Sequence, residues 1–197
     1  MTNSDSRPTL AILISGRGSN MVAIARTCLS GALNARVTLV ISNRPDAPGI
    51  EAAREMGIDT AVIDHKAFAS RQAFDDALHE RLMSVKPDWI VLAGFMRILT
   101  EDFVNRWQGR MLNIHPSLLP KYPGLDTHAR AIAAGDRHAG ASVHIVSPEL
   151  DAGPVVAQVR VPIESDDTAD TLAQRVLQEE HGLYIKALQL CVGKMDQ

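Results

Sequence analysis

The sequence predicts an α/β fold: one domain spanning residues 1–197, with a mostly parallel sheet flanked by helices and antiparallel strands in its C-terminal part. Short apolar runs rich in β-branched residues alternate with helix-length segments from the start, which is the signature of βαβ units. Glycine and proline punctuate the joins. After His115 the pattern changes, and two strand-like runs follow each other too closely for a crossover helix. A chain of 197 residues suits a single core.

Thr9-Leu-Ala-Ile-Leu-Ile-Ser15 is continuously apolar, as a strand covered on both faces must be. A glycine turn, Gly16-Arg-Gly-Ser-Asn20, leads into a helix to about Ser30. Arg36-Val-Thr-Leu-Val-Ile-Ser42 is a second buried strand. Pro48 suits the first turn of the next helix, which Gly57 ends. Thr60–Ile63 is a short third strand, and Ser70 caps a helix that runs to about Val85 and stops before Pro87. Trp89-Ile-Val-Leu-Ala93 and Met111-Leu-Asn-Ile114 are the fourth and fifth strands. A proline-rich loop to about Asp126, a short helix, and strands at Ala141–Val146 and Val155–Val161 follow, the last two spaced to pair antiparallel. Asp166, Asp167 and Thr168 open a final helix over Ala169–Leu190.

Composition narrows the function. With 46% apolar and 22% charged residues the chain reads as globular, and a net charge of −3 argues against a general nucleic-acid binder. Two cysteines, Cys28 and Cys191, without CxxC spacing, make no disulfide framework and fit a reducing compartment. Leu10–Ile14 is too short for a signal-peptide core, and no run approaches the roughly 20 apolar residues of a membrane helix. The expectation is a cytoplasmic protein with no membrane partner.

Gly16 and Gly18 lie between a buried strand and a helix, which aims main-chain N–H groups and the positive helix end at an anion. Ser19 and Asn20 add side-chain donors. The dinucleotide fingerprint lacks its third glycine, since position 21 is Met, and its ribose-binding acid, since the second strand ends Ser42-Asn-Arg44. Arg44 keeps an NADP reading open. The nucleotide P-loop is excluded because no GK[ST] is present. A single phosphate fits better, and a plain strand-to-helix turn is the bland alternative.

Asn113-Ile-His115-Pro-Ser-Leu-Leu-Pro-Lys-Tyr-Pro-Gly124 is the most unusual stretch. Asn113 and His115 are two apart on a strand, so they share a face at its C-terminal end, where open α/β sheets bind ligands. An amide NH₂ and a protonated imidazole can both donate to a developing oxyanion. Asp151, in the turn Glu149-Leu-Asp-Ala-Gly-Pro154, can sit beside His115, orient it and favour its charged form. A satisfied core histidine and an ordinary acidic turn are the alternatives. His128 and His144 can converge on the same place, but no HxxxH or HExxH spacing supports a metal, and none is expected. His65, His79 and His138 fall in loop or helix positions and read mostly as surface residues, whereas His181 adjoins Glu180 in the last helix. The apolar loop Ala93-Gly-Phe-Met-Arg-Ile-Leu99 is a candidate wall for a flat ligand, or simply packs on the next helix.

Ile14–Asn20, Leu92–Leu99, Leu112–Gly124 and Glu149–Pro154, in this order and spacing, closely resemble the phosphoribosylglycinamide formyltransferase family, folate-dependent enzymes of purine biosynthesis. The resemblance runs from about Leu10 to Leu188 and implies a Rossmann-like domain. It implies transfer of a formyl group from the co-substrate 10-formyltetrahydrofolate to the amine of glycinamide ribonucleotide. Asn113, His115 and Asp151 match the family's catalytic trio. Gly18, Ser19 and Asn20 match its ribonucleotide-binding loop, and Leu177, Gln178, Glu179 and Glu180 a second ribonucleotide contact. Arg71, Met96, Arg97, Ile98, Leu99, Asn113, Ser147, Pro148, Glu149, Leu150 and Asp151 match folate contacts, with Arg97 near the anionic tail. The implied partners are these two small molecules alone, with monomer or homodimer left open.

The sequence departs from the family at Asp126, where several relatives carry His, and it stops soon after the last helix. Hydrolysis of the same formyl-folate is a second reading, although relatives of that type carry an additional N-terminal domain. An NADP-binding module is a third. Formyl transfer to initiator methionyl-tRNA is a fourth, and it usually brings a second domain and a basic surface.

Overall fold

The computed structural model describes residues 6–193. Seven strands form one sheet in the order β3-β2-β1-β4-β5-β6-β7. They are β1 (Thr9–Ile14), β2 (Arg36–Ser42), β3 (Thr60–Val62), β4 (Trp89–Leu92), β5 (Met111–His115), β6 (His138–Ile145) and β7 (Val155–Pro162). β1 to β5 are parallel, β6 is antiparallel to β5, and β7 is antiparallel to β6. The helices are α1 (Ser19–Leu29), α2 (Pro48–Glu55), α3 (Arg71–Met83), α4 (Glu101–Arg106), α5 (Thr127–Ala133) and α6 (Ala169–Val192).

The period-two alternation of the strands sorts the core into two layers. Leu10, Ile12, Ile14, Val40, Val91, Leu112 and Val143 face one side, with Met21 and Ile24 of α1, Ile50 of α2, and Leu172, Val176 and Leu188 of α6. Ala11, Leu13, Leu39, Ile41, Ile90, Leu92 and Met111 face the other, with Phe74, Leu78 and Leu82 of α3 and Phe103 of α4. Burying each such aliphatic side chain contributes about 1.5–3 kcal/mol, which is why the strands read as unbroken apolar runs. Among the described residues no helix is long and apolar enough to cross a membrane.

Local signals set the helix ends. Ser70 accepts from the Ala73 N–H, and Thr168 and Thr171 form a reciprocal capping box that starts α6. Asp167, next to that cap, pairs with Arg175. Pro48 occupies the first turn of α2. Most element ends lie within two residues of the sequence reading, and two differences are larger or change the element type. β6 begins at His138, three residues before Ala141, because Gly140 packs against the β7 main chain and Leu118, where even a Cβ has no room. His65, read as loop, opens a 3₁₀ turn over His65–Ala67 that the Asp64 side chain caps.

One topological fact positions the site. β1 sends its chain to β2 on one side and has β4 on the other, so a crevice opens between the C-terminal ends of β1 and β4. On the α3–α4 side, β5 and β6 carry a polar face in paired register, Asn113 opposite His144 and His115 opposite Ser142. The proline loop folds onto this face: the Leu119 N–H donates to Ser142 Oγ, and Gln158 Nε2 donates to the Leu119 carbonyl.

Candidate active site

The glycine loop sits at the crevice. Gly18 is the N-cap of α1 in left-handed backbone (φ 68°), and no side chain caps the helix. The first-turn N–H groups therefore lack a side-chain acceptor and are available to an anion. Gly49 of α2 closes on this turn so tightly that a Cβ there would lie 2.9 Å from the Gly16 carbonyl oxygen. Ser19 is half-buried and Asn20 buried. Asn20 Nδ2 donates to Glu180 Oε2 at 2.8 Å, joining residues 160 apart, while Asn20 Oδ1 is buried without a partner. Burial raises the Glu180 carboxyl above its usual range, against the lowering effect of Asn20. Leu177 is half-buried on the same helical face as Glu180, whereas Gln178 and Glu179 are exposed.

The second half of the site lies on β5 and β6. His115 Nδ1 is 3.3 Å from Asp151 Oδ2, and both side chains are 7% exposed. His115 Nε2 is 2.8 Å from the Tyr122 carbonyl oxygen. Both ring nitrogens thus face oxygen acceptors, an arrangement that the doubly protonated ring satisfies. Asn113 Nδ2 is 3.2 Å from His144 Nε2, whose Nδ1 lies 3.0 Å from the Ile145 carbonyl. The Asn113 amide thus spends one contact on His144 and keeps its second N–H for a ligand. His144 Nε2 is also 3.6 Å from Asp151 Oδ1.

Asp151 reaches this face because the β6–β7 loop folds back over it. Gly153 permits the fold, since a Cβ there would lie 1.8 Å from the Ile145 carbonyl oxygen. Asp151 is left-handed (φ 52°), and the Gly124 N–H donates to its Oδ2 at 2.9 Å. Burial works to raise its carboxyl, but His144, the Gly124 N–H and His115 outweigh it and hold it below the usual range. Among the described residues, Tyr122, Asp126 and Asp151 are three of the four non-glycine residues with positive φ. Such conformations gather at functional sites, where the surroundings over-determine them.

The loop Gly94–Leu99 stands beside both halves. Phe95 packs into the α3–α4 core, whereas Met96 is 73% and Ile98 57% exposed. Leu99 packs partly on that core, and Arg97 Nε is buried without a partner. Across the site, Leu150 is 53% exposed, Pro148 and Glu149 are exposed, and the Ser147 hydroxyl donates to the Glu149 carbonyl. Exposed apolar side chains on loops at a crevice offer cover for a flat ligand. Arg71 is exposed at the start of α3.

Some expectations shift. Arg44, the basis of the NADP reading, is tied to Asp46 at 2.8 Å. His128 comes near enough to His115 to feel its charge; burial first, then His115, lowers its pKa, and its Nδ1 is buried without a partner. His181 also has a buried, unpartnered Nε2. Among the described residues no group of three or more His, Cys, Asp or Glu is placed to hold a metal ion. Two contributors escaped the sequence reading. Ser15 accepts the Met96 N–H at 2.7 Å and donates to Asn43 Oδ1, so it ties the apolar loop to the end of β1. The Tyr122 carbonyl is main chain and leaves no mark in residue type.

Residues 9–188 match the family model described as formyl transferase. The chain is 49% identical over 175 residues to the phosphoribosylglycinamide formyltransferase of Escherichia coli K12, covering 89% of this chain and 82% of that protein. It is 45% identical to part of the trifunctional purine biosynthetic protein adenosine-3 of Drosophila melanogaster, covering 96% of this chain and 14% of that protein. The crystal structure of phosphoribosylglycinamide formyltransferase from Brucella melitensis superposes with a TM-score of 0.90 at 47% identity, covering 95% of this chain and 96% of that one.

Proposed function

This chain belongs to the formyl transferase family, and from that membership and the site geometry we infer its reaction. It transfers the formyl group of 10-formyltetrahydrofolate to the amine of N1-(5-phosphoribosyl)glycinamide in de novo purine biosynthesis. The products are the formylated ribonucleotide and tetrahydrofolate. The observation that carries the reading is the cluster in which Asn113, His115, His144 and Asp151 meet on one face of β5–β6.

The ribonucleotide phosphate takes the uncapped N-terminus of α1 at Gly18, Ser19 and Asn20. The buried Asn20–Glu180 pair then receives the polar ribose or glycinamide end, where the unpartnered Asn20 Oδ1 is an acceptor waiting for a donor. Leu177 packs beside it, and Gln178 and Glu179 complete that helical edge. The folate lies against Met96, Ile98, Leu99 and Leu150, with Ser147–Asp151 along its rim and Arg71 and Arg97 toward its anionic tail.

The amine nitrogen attacks the formyl carbon, forming a C–N bond and moving the carbonyl electrons onto oxygen. The Asn113 amide donates to that oxyanion, and the His115 imidazolium, whose two N–H groups face Asp151 and the Tyr122 carbonyl, stabilises it through its charge. A proton then leaves the attacking nitrogen and reaches the folate nitrogen as its bond to the formyl carbon breaks. Asp151, held ionised, accepts that proton directly or through a water and passes it on. The formyl carbon is already activated on folate, so the protein's main task is placement. Both substrates are small, and the reading assigns the protein to the cytoplasm with no nucleic-acid partner.

The test is an assay of purified protein with formyl-folate, with and without glycinamide ribonucleotide. Tetrahydrofolate release that depends on the ribonucleotide is the expected result. Formate release at the same rate without it would replace transfer by hydrolysis.

A further inference from the structure

The mechanism above leaves one feature unused: an aromatic residue in left-handed backbone beside the catalytic histidine. Tyr122 has φ 56°, a region that bulky side chains rarely enter and keep only where the surroundings enforce it. Here the enforcement is visible. The Tyr122 hydroxyl donates to Asp136 Oδ2 at 2.9 Å, and Lys121 Nζ donates to both oxygens of the same carboxylate at 2.8 and 2.9 Å. The Arg130 guanidinium lies 5.1 Å from the Tyr122 ring centre and donates to the Pro123 carbonyl at 2.7 Å. Ser117 Oγ donates to the Lys121 carbonyl at 2.6 Å. The grip on two consecutive side chains turns the main chain between them. As a result the Tyr122 carbonyl meets His115 Nε2 and the Gly124 N–H meets Asp151 Oδ2.

We propose that Asp136 is a positioning residue for His115: by holding Lys121 and Tyr122 it keeps the Tyr122 carbonyl on Nε2. That carbonyl is an obligate acceptor, so it fixes a hydrogen on Nε2. The ring orientation is thereby fixed, with Nδ1 facing Asp151. As a surface ion pair, Asp136–Lys121 contributes little to stability. Its effect is on the direction of a carbonyl. Asp136 acts through Tyr122 and touches no reacting atom. The proposal rests on His115 being the catalytic histidine of formyl transfer, so its test needs a readout that is independent of turnover.

That readout is the ring Nε2–H of His115 in ¹⁵N-labelled protein, identified by its absence from the His115→Asn spectrum. A carbonyl-bonded, buried Nε2–H exchanges slowly and gives a visible proton signal in the wild type. In Asp136→Ala the signal should disappear into solvent exchange. The same variant should lose about tenfold in kcat, with both KM values within about twofold. Asp136→Asn, which keeps an acceptor for the Tyr122 hydroxyl, should restore both. Tyr122→Phe should lose the Nε2–H signal as well, and it serves if Asp136→Ala fails to fold. An Nε2–H signal that persists in folded Asp136→Ala or Tyr122→Phe overturns the proposal. Because that signal needs no substrate, it decides the matter even if the assay with ribonucleotide shows no transfer.

Discussion

The two halves of the crevice are built in different ways. At β1, consecutive residues do the work: Gly16 to Asn20 form the turn, start the helix and leave its first N–H groups open. At β5–β6, the working groups come from separate stretches: Asn113 and His115 from one strand, His144 from the next, Asp151 from a folded-back loop, and the Tyr122 carbonyl from another. The first half makes its one left-handed turn at Gly18, a residue type that tolerates it, and finishes in a helix. The second contains Tyr122, Asp126 and Asp151 in left-handed conformation. The contrast suits the tasks we propose for them. A phosphate needs only dipoles in a fixed direction, whereas proton transfer needs side chains placed to within a fraction of an ångström.

Substitutions can separate the halves. The largest effect is expected at the strained half: His115→Ala and Asp151→Asn should each lower kcat by roughly 10² to 10⁴ while ribonucleotide affinity stays nearly unchanged. Steady-state kinetics beside calorimetric binding of the ribonucleotide would show this, and near-normal turnover in either variant would break the assignment. Asn20→Ala should do the opposite. It strips the partner from a buried carboxyl, so the ribonucleotide KM should rise roughly 10- to 100-fold with kcat much less affected.

Smaller effects probe the supports. Thr168→Ala removes the capping box of α6, the helix that carries Glu180. It should cost about 1 kcal/mol, a melting point lower by roughly 2–4 °C, with turnover preserved. The smallest concerns pH. Glu180 has a raised pKa in the fold, so the folded state holds its proton more tightly than the unfolded chain does. Stability from this group is therefore greatest below the ordinary carboxyl range and falls as pH rises through the raised value. Glu180→Gln should remove that fall, making the variant's melting point less pH-dependent between about pH 4 and 7. Asp151 has the opposite sign: its lowered pKa gives stability that is lost only as pH falls below the usual carboxyl range. Asp151→Asn should accordingly flatten the acid-unfolding curve below about pH 4.

The difference between the halves also governs how legible each was. The strands β1, β2 and β4 could be read directly, because parallel strands covered on both faces leave continuous apolar runs. The caps Ser70 and Thr168 and the glycine turn at Gly16–Asn20 are legible because each is a contact among close neighbours in sequence. Asn113 and His115 were marked as one face by their spacing on β5. Residue type allows Asp151 beside His115 but favours an ordinary acidic turn, and its approach depends on Gly153 and Gly124, which carry no chemistry of their own. The sequence offers His144 as one of two histidines able to converge on this place, without a partner. Its bond to Asn113 follows from the β5–β6 register, where Asn113 and His144 stand opposite each other.

Sequence alone therefore determined what local forces determine: the order of strands and helices, the uncapped glycine turn, and the face on which the histidine sits. Tertiary structure decided the partners of that histidine. Long-range packing folds two loops across the sheet and holds Tyr122 and Asp151 in conformations their own residue types disfavour. A main-chain carbonyl aimed by such a loop has no residue type to betray it, so the ring's second contact became visible only in the folded chain.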